Sequence, residues 1–263
     1  MLAAKQLEAW EHSHPIWLKF YPEIVCLAGM LLITAIMTRY ADRRPLRSIG
    51  LTGARAGRHF LLGLGLGTLW LAIPLFVAWQ AGWVVRQSPE PFSLLTLGAA
   101  GLALLMNIIT QQLLLCGYIL QTIQARFGFR PALVISVILF SAYHAAAFHG
   151  AFLPPLNVML AGTVFGLCYR LSGSLWLPIG CHFAWNFLLG LGLGLTVSGT
   201  QRFSGGWQSF SVTSNLFTGG SFGFEGGLLT CVATLLFALA LGWALRSAPA
   251  EPKGSGFSTP PRR

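Results

Sequence analysis

The sequence predicts an all-α polytopic membrane protein with about seven transmembrane helices, the N-terminus outside and the C-terminus in the cytoplasm. Three observations carry this. Hydrophobic residues make up 54% of the 263 and charged residues only 9%, with a mean hydropathy of +0.66; a soluble domain carries about 25% charged residues on its wet surface. The apolar residues fall in blocks of about 20, the length that crosses roughly 30 Å of hydrocarbon. The basic residues cluster between those blocks, mostly on alternate sides, which is how topology is encoded.

In chain order, residues 1–22 form an extracytoplasmic segment without an apolar run, so the first apolar block is expected to remain as an anchor. Spans are predicted near 23–40, 59–80, 95–124, 131–148, 156–171, 174–196 and 227–245. The third is long enough to tilt or to project beyond the lipid. The fifth is short and closely followed by the sixth. Together they make one transmembrane domain over 23–246, followed by a basic tail at 247–263 rich in Pro, Gly and Ser, which is expected to be disordered.

Orientation follows from the cations. Arg39, Arg43, Arg44, Arg47, Arg55 and Arg58 follow span one; Arg126 and Arg130 follow span three; Arg170 follows span five; Arg246, Lys253, Arg262 and Arg263 follow span seven. Lys5, Lys19, Arg86 and Arg202 lie on the other side. The positive-inside rule places the larger group in the cytoplasm, and an odd number of spans agrees with that. The net charge of +10 is therefore read as topology and lipid contact, and nucleic acid is excluded as a partner. Trp176 and Trp207 are expected at the membrane interface, and the stretch 199–226 as an outer loop lying on the membrane face.

Two features invite other readings. Gly63, Gly65 and Gly67, and again Gly190, Gly192 and Gly194, resemble a nucleotide loop, but neither run follows a strand, and small residues let helices pack closely. The cysteines at 26, 116, 168, 181 and 231 all lie in apolar blocks without paired spacing, so they read as buried free thiols and not as a disulfide frame.

Polar residues inside a membrane are functional candidates, because each costs free energy unless paired. Span three carries Gln111, Gln112 and Cys116, with Gln112 and Cys116 on one face and Asn107 one turn before Gln111. Span four carries Phe140 and His144, and span six His182 and Asn186, each pair at helical spacing. Counted from the cytoplasmic ends, Gln111, His144 and His182 lie about 21, 20 and 12 Å deep at 1.5 Å per residue, which allows them to converge between three helices. The alternative is that these groups only hydrogen-bond one another as glue between helices.

The strings QQLLLCG, FSAYH and HFAWN resemble the CPBP family of CAAX-protease and bacteriocin-processing intramembrane peptidases, whose pattern is EExxxR, then FxxxH, then HxxxN or HxxxD, each on its own helix. Gln111, Gln112 and Cys116 occupy the first motif, followed by Gly117; Phe140 and His144 the second; His182 and Asn186 the third, preceded by SLWLPIGC. The segments RPLRSIGL at 44–51 and GGSFGFEGG at 219–227 are more weakly similar. The CPBP-like core runs over about 95–196.

The resemblance implies peptide-bond hydrolysis at or in the membrane, with a first-motif glutamate and the two histidines activating water and Asn186 stabilising an oxyanion. Phe140 and Cys116 are implied to border the substrate. The resemblance also implies a bacterial plasma membrane and a membrane or lipidated peptide as partner.

This chain has glutamine at both family glutamate positions and Cys116 at the arginine. Glutamine cannot accept a proton as a general base must. The seven carboxylates are Glu8, Glu11, Glu23, Asp42, Glu90, Glu225 and Glu251; none falls in the middle of a span, and Glu23 and Glu225 are expected at outer span ends, away from the site. Zinc would have His144 and His182 as its ligands, a set short of the usual four, so a metal is a minor alternative. All three family charges are missing together, which avoids stranding an acid or an arginine in lipid at a cost of at least a few kcal/mol.

Three functions therefore stand: a cleft that binds a peptide or lipidated partner with hydrolysis impaired or lost; an active peptidase working through His144 and His182; or a channel, transporter or assembly factor in which the polar cluster only packs helices.

Overall fold

The computed structural model describes residues 20–51, 53, 55–88, 93–203 and 208–247. The expectations for residues 1–19, Trp207 and 248–263 lie outside the described residues.

Seven helices order the described chain: α1 (Phe20–Ala41), α2 (Ala56–Gln80), α3 (Leu94–Phe127), α4 (Phe129–Tyr143), α5 (Leu153–Ser172), α6 (Trp176–Asn186) and α7 (Leu228–Ser247). Among the described residues α1, α2, α3 and α7 are long and apolar enough to cross a membrane. Only 11% of the apolar window of α1 and 22% of that of α7 is buried by the rest of the protein, so these helices turn residues such as Leu32, Ile33, Leu236 and Trp243 outward. A water-soluble protein does not leave apolar surface on that scale uncovered; this is an integral membrane protein.

The expected boundaries differ at two spans. Helix α4 has 15 residues and ends at Tyr143, with a 3₁₀ turn over Ala145–Ala147. At about 1.5 Å per residue it rises about 22 Å. Helix α6 has 11 residues and continues as a π-helical stretch, Phe187–Gly192.

The most extensive packing is α2 on α6. Gly63 and Gly67 of α2 and Gly180 of α6 make it possible: a Cβ at Gly63 would strike the Leu177 carbonyl, one at Gly67 the Cys181 carbonyl, and one at Gly180 the Phe60 carbonyl. Gly65 meets nothing within 4 Å. Of the second glycine run, Gly190 packs on the Phe203 carbonyl, which belongs to the following loop and not to a helix. Helix α5 packs on α4 and α7, and α1 on α3.

The segment at 44–51 fixes the start of α6. Leu175 donates its N–H to the Gly50 carbonyl at 3.0 Å, and the Trp176 indole donates to the Leu51 carbonyl at 2.6 Å. Gln121 donates to the Ile49 carbonyl at 3.0 Å and accepts from Arg44 at 2.8 Å. Gly173, at φ +62°, closes α5 and lets the chain turn directly into α6.

The loop between α6 and α7 does not simply lie on the membrane face. Its strand β2 (Phe210–Val212) pairs antiparallel with β1 (Val84–Arg86) from the α2–α3 connection. Phe222 and Phe224 are 2% and 1% exposed, so these two rings anchor the loop into the end of the bundle.

Candidate functional site

Three polar helix positions meet inside the bundle, two of them where α-helix gives way to π-helix. Gln112 directly precedes the π stretch Leu113–Ile119 of α3, and Asn186 directly precedes that of α6. Such widened turns recur at functional sites. Gln112 Nε2 lies 3.1 Å from His182 Nδ1, and Asn186 Nδ2 lies 3.2 Å from His182 Nε2.

A neutral imidazole has one N–H and one lone pair, so it cannot receive two amide donors. Gln112 Oε1 has no partner of its own. Turning that amide over sets its oxygen on an Nδ1–H and leaves the Nε2 lone pair for Asn186; amide orientation is assigned from the bonding network in this way. Phe165 stacks on the His182 ring at 4.4 Å between centroids.

His144 ends α4. Its Nδ1 lies 2.9 Å from the Phe140 carbonyl. A carbonyl only accepts, so Nδ1 carries the proton and Nε2 holds the lone pair. Phe140 stands edge-on to His144 at 4.7 Å and to His182 at 6.5 Å, between the two histidines.

His144, His182, Asn186 and Phe140 line one cavity with Trp70, Asn157, Phe165, Trp185, Phe222 and Glu225. It offers about 40 Å³ to water centres, room for roughly three waters. Gln111, Gln112 and Cys116 are not among its lining residues. Gln112 stands behind His182, and Cys116 is fully buried.

The expected distance between the site and every carboxylate is overturned. Glu225 lines the cavity itself. Its Oε1 accepts from the Trp185 indole at 2.7 Å, and its Oε2 from the Ser198 N–H. Burial pushes its carboxyl pKa above the ordinary value, while the Ser198 and Trp185 donors pull it back. Glu23, 2% exposed, pairs with Arg202 at 2.9 Å and accepts from Asn107 at 3.1 Å; Asn107 in turn accepts from Gln111 at 2.6 Å. The helical depth count missed this because it treated the outer loop as lying outside, whereas Phe222 and Phe224 pull that loop, and Glu225 with it, into the bundle end.

Sequence reasoning also passed over Asn157. It sits in a predicted span and is 4% exposed, so the rule that flagged the other intramembrane amides applies to it equally. Its Nδ2 donates to the carbonyls of Glu225 at 2.7 Å and Gly227 at 3.0 Å. For Glu225 the available signal was the GGSFGFEGG string.

Residues 93–188 match the family model for type II CAAX prenyl endopeptidase Rce1-like proteins. The match takes in all three motifs and covers about a third of the chain, so the CPBP resemblance holds over that segment. Glu225 lies outside it. No curated protein and no solved structure matches the chain.

The zinc alternative lacks a donor set. Among the described residues no three His, Cys, Asp or Glu side chains are grouped to hold a metal ion, and both His182 nitrogens already face amides. The arrangement offers instead a neutral His144 lone pair, a His182 ring held by amides and a carboxylate, around a small aromatic-walled space.

Proposed function

We propose that this chain is a CAAX-protease-like membrane protein that keeps the peptide-binding cleft of the family and has lost most or all of its hydrolysis. The observation that carries this reading is the Gln112 amide 3.1 Å from His182 Nδ1. A glutamate at that position would meet the same nitrogen. Glutamine holds the ring equally well but takes no proton, and general-base catalysis needs a group that does. We read α4, α5 and α6 as crossing together with α1, α2, α3 and α7, giving seven spans, N-terminus out, in a bacterial plasma membrane. The partner is a membrane or lipidated peptide.

The test is the purified full-length protein in detergent, with binding and cleavage of prenylated and transmembrane peptides measured side by side. The native chain is expected to bind without cutting, and the triple variant Gln111→Glu, Gln112→Glu, Cys116→Arg to cut. The arginine is included because two acids without a cation would be stranded in the core.

A second reading has its own support. His144 keeps an Nε2 lone pair and lines the cavity, and Glu225 adds a carboxylate-bearing residue to the same lining. Under it the native chain cuts without any added glutamate. Native cleavage that disappears in His144→Ala would overturn the binding reading and establish a histidine-centred peptidase.

A further inference from the structure

Glu225 is a carboxylate in an aromatic room. Trp70, Phe140, Phe165, Trp185 and Phe222 wall the cavity it faces. Among the described residues no cation pairs with it; its partners are neutral, the Trp185 and Ser198 N–H groups and the Ser198 hydroxyl. A carboxylate accepts about four hydrogen bonds, so it retains free lone pairs. An uncompensated charge in so apolar a setting costs free energy unless something neutralises it.

Two further residues that line the same cavity carry acceptors without a partner. Asn157 Oδ1 is buried with no partner, and its amide orientation is fixed because Nδ2 donates to two carbonyls. His144 Nε2 holds a lone pair because Nδ1 donates to Phe140. The cavity therefore gathers three acceptors from three parts of the chain: the end of α4, helix α5 and the loop before α7. Aromatic faces complete it, and they attract cations through their ring quadrupole.

We propose that this cavity receives a primary alkylammonium group, whose three N–H donors face Glu225, Asn157 and His144. A space of about 40 Å³ admits the ammonium head and leaves the alkyl chain among the aromatic rings. A quaternary ammonium would satisfy the rings but none of the acceptors. The inference deepens the cleft reading and rests on it for the source of the amine: a lysine side chain or free amino group of the bound peptide.

The test uses full-length protein in detergent free of amine lipids, with n-butylammonium, trimethylbutylammonium and n-butanol as probes, read by Trp fluorescence and thermal shift. Saturable binding of n-butylammonium is expected, at least about tenfold tighter than either control, since charge-assisted hydrogen bonds supply the difference. Glu225→Gln should weaken it by a similar factor; the neutral amide still accepts one of the two N–H donors. The comparison of probes on the native chain needs no variant, so it stands even if Glu225→Gln fails to fold. Equal binding of the three probes, or none, overturns the proposal and leaves a water-filled pocket.

The peptide assay separates the two claims. Peptide bound by a chain that takes no n-butylammonium sinks the ammonium site and spares the cleft. n-Butylammonium bound by a chain that takes no peptide sinks the cleft and spares the ammonium site. Replacing lysine by norleucine in a bound peptide should cost about tenfold in affinity if the peptide supplies the amine. Unchanged affinity, with n-butylammonium displaced by phosphatidylethanolamine nanodiscs, would assign the amine to a lipid headgroup.

Discussion

Toward α2, helix α6 presents Gly180, and the facing Gly63 and Gly67 let the two backbones touch. Toward α4 and α5 it presents His182 and Asn186, with Phe140 and Phe165 around the ring and a cavity in front. One face is closed by carbonyls and glycines with no space for a methyl group. The other is held apart by amides, aromatic edges and a few waters' worth of room. The closed face fixes where α6 stands, and the open face uses that fixed position to aim two polar groups separated by one turn. In hydrocarbon such a division is natural, because close packing of small residues is what holds helices together there.

The largest expected effect comes from breaking the closed face. Gly180→Ala places a Cβ on the Phe60 carbonyl, which must move with its helix; overpacking of this kind costs about 1–3 kcal/mol. Gly65→Ala is the control on the same helix, off the seam. A Cβ at Gly65 would meet nothing of the neighbouring elements within 4 Å, and removing a glycine from a helix interior gains roughly 0.5–1 kcal/mol. Thermal melting in one detergent should separate the two variants clearly. Equal melting would mean that α6 is not positioned by contact with α2.

The sequence carried these two faces unequally. The glycines of α2 were legible as packing residues, but which of them pack depends on helix rotation, and Gly65 reads no differently from Gly63 until the partner is seen. His144, His182 and Asn186 were legible because polar groups in apolar blocks stand out. The early end of α4 at Tyr143 was not, since Ala145–Ala147 is as apolar as the helix before it. Glu225 was misplaced for a physical reason: depth was counted along straight helices, and a loop enters no such count. Phe222 and Phe224 were the missed signal, as two large rings in a predicted outer loop favour burial in the bundle end.

The next effect down breaks the open face from behind. Gln112→Leu keeps much of the volume but removes the amide 3.1 Å from His182 Nδ1. Leaving a buried donor without a partner costs about 1–3 kcal/mol, and the ring is then free to turn out of register with Asn186. Both a lower melting temperature and weaker peptide binding are expected. A Leu variant with native peptide affinity would mean that the amide only fills space, and the binding reading would lose the observation that carries it.

The smallest effect concerns the far wall of the cavity, and pH reads it. Glu225 lies in the loop before α7, with its carboxyl pKa raised by burial. A folded state that raises an acid's pKa binds the proton more tightly than the unfolded chain does. Its contribution to stability is therefore fully present below the ordinary carboxyl value and is lost as pH rises through the raised one. The native protein should lose melting temperature across that window. Glu225→Gln, which does not titrate, should lack this share of the loss, so the difference between the two curves isolates the one carboxylate. An n-butylammonium ion in the cavity works in the opposite direction, because it favours the charged form. Saturating n-butylammonium should therefore flatten the native curve toward that of the Gln variant and leave the Gln curve unchanged. A native curve that the amine does not alter would separate the closed face, with its fixed geometry, from a cavity that holds only water.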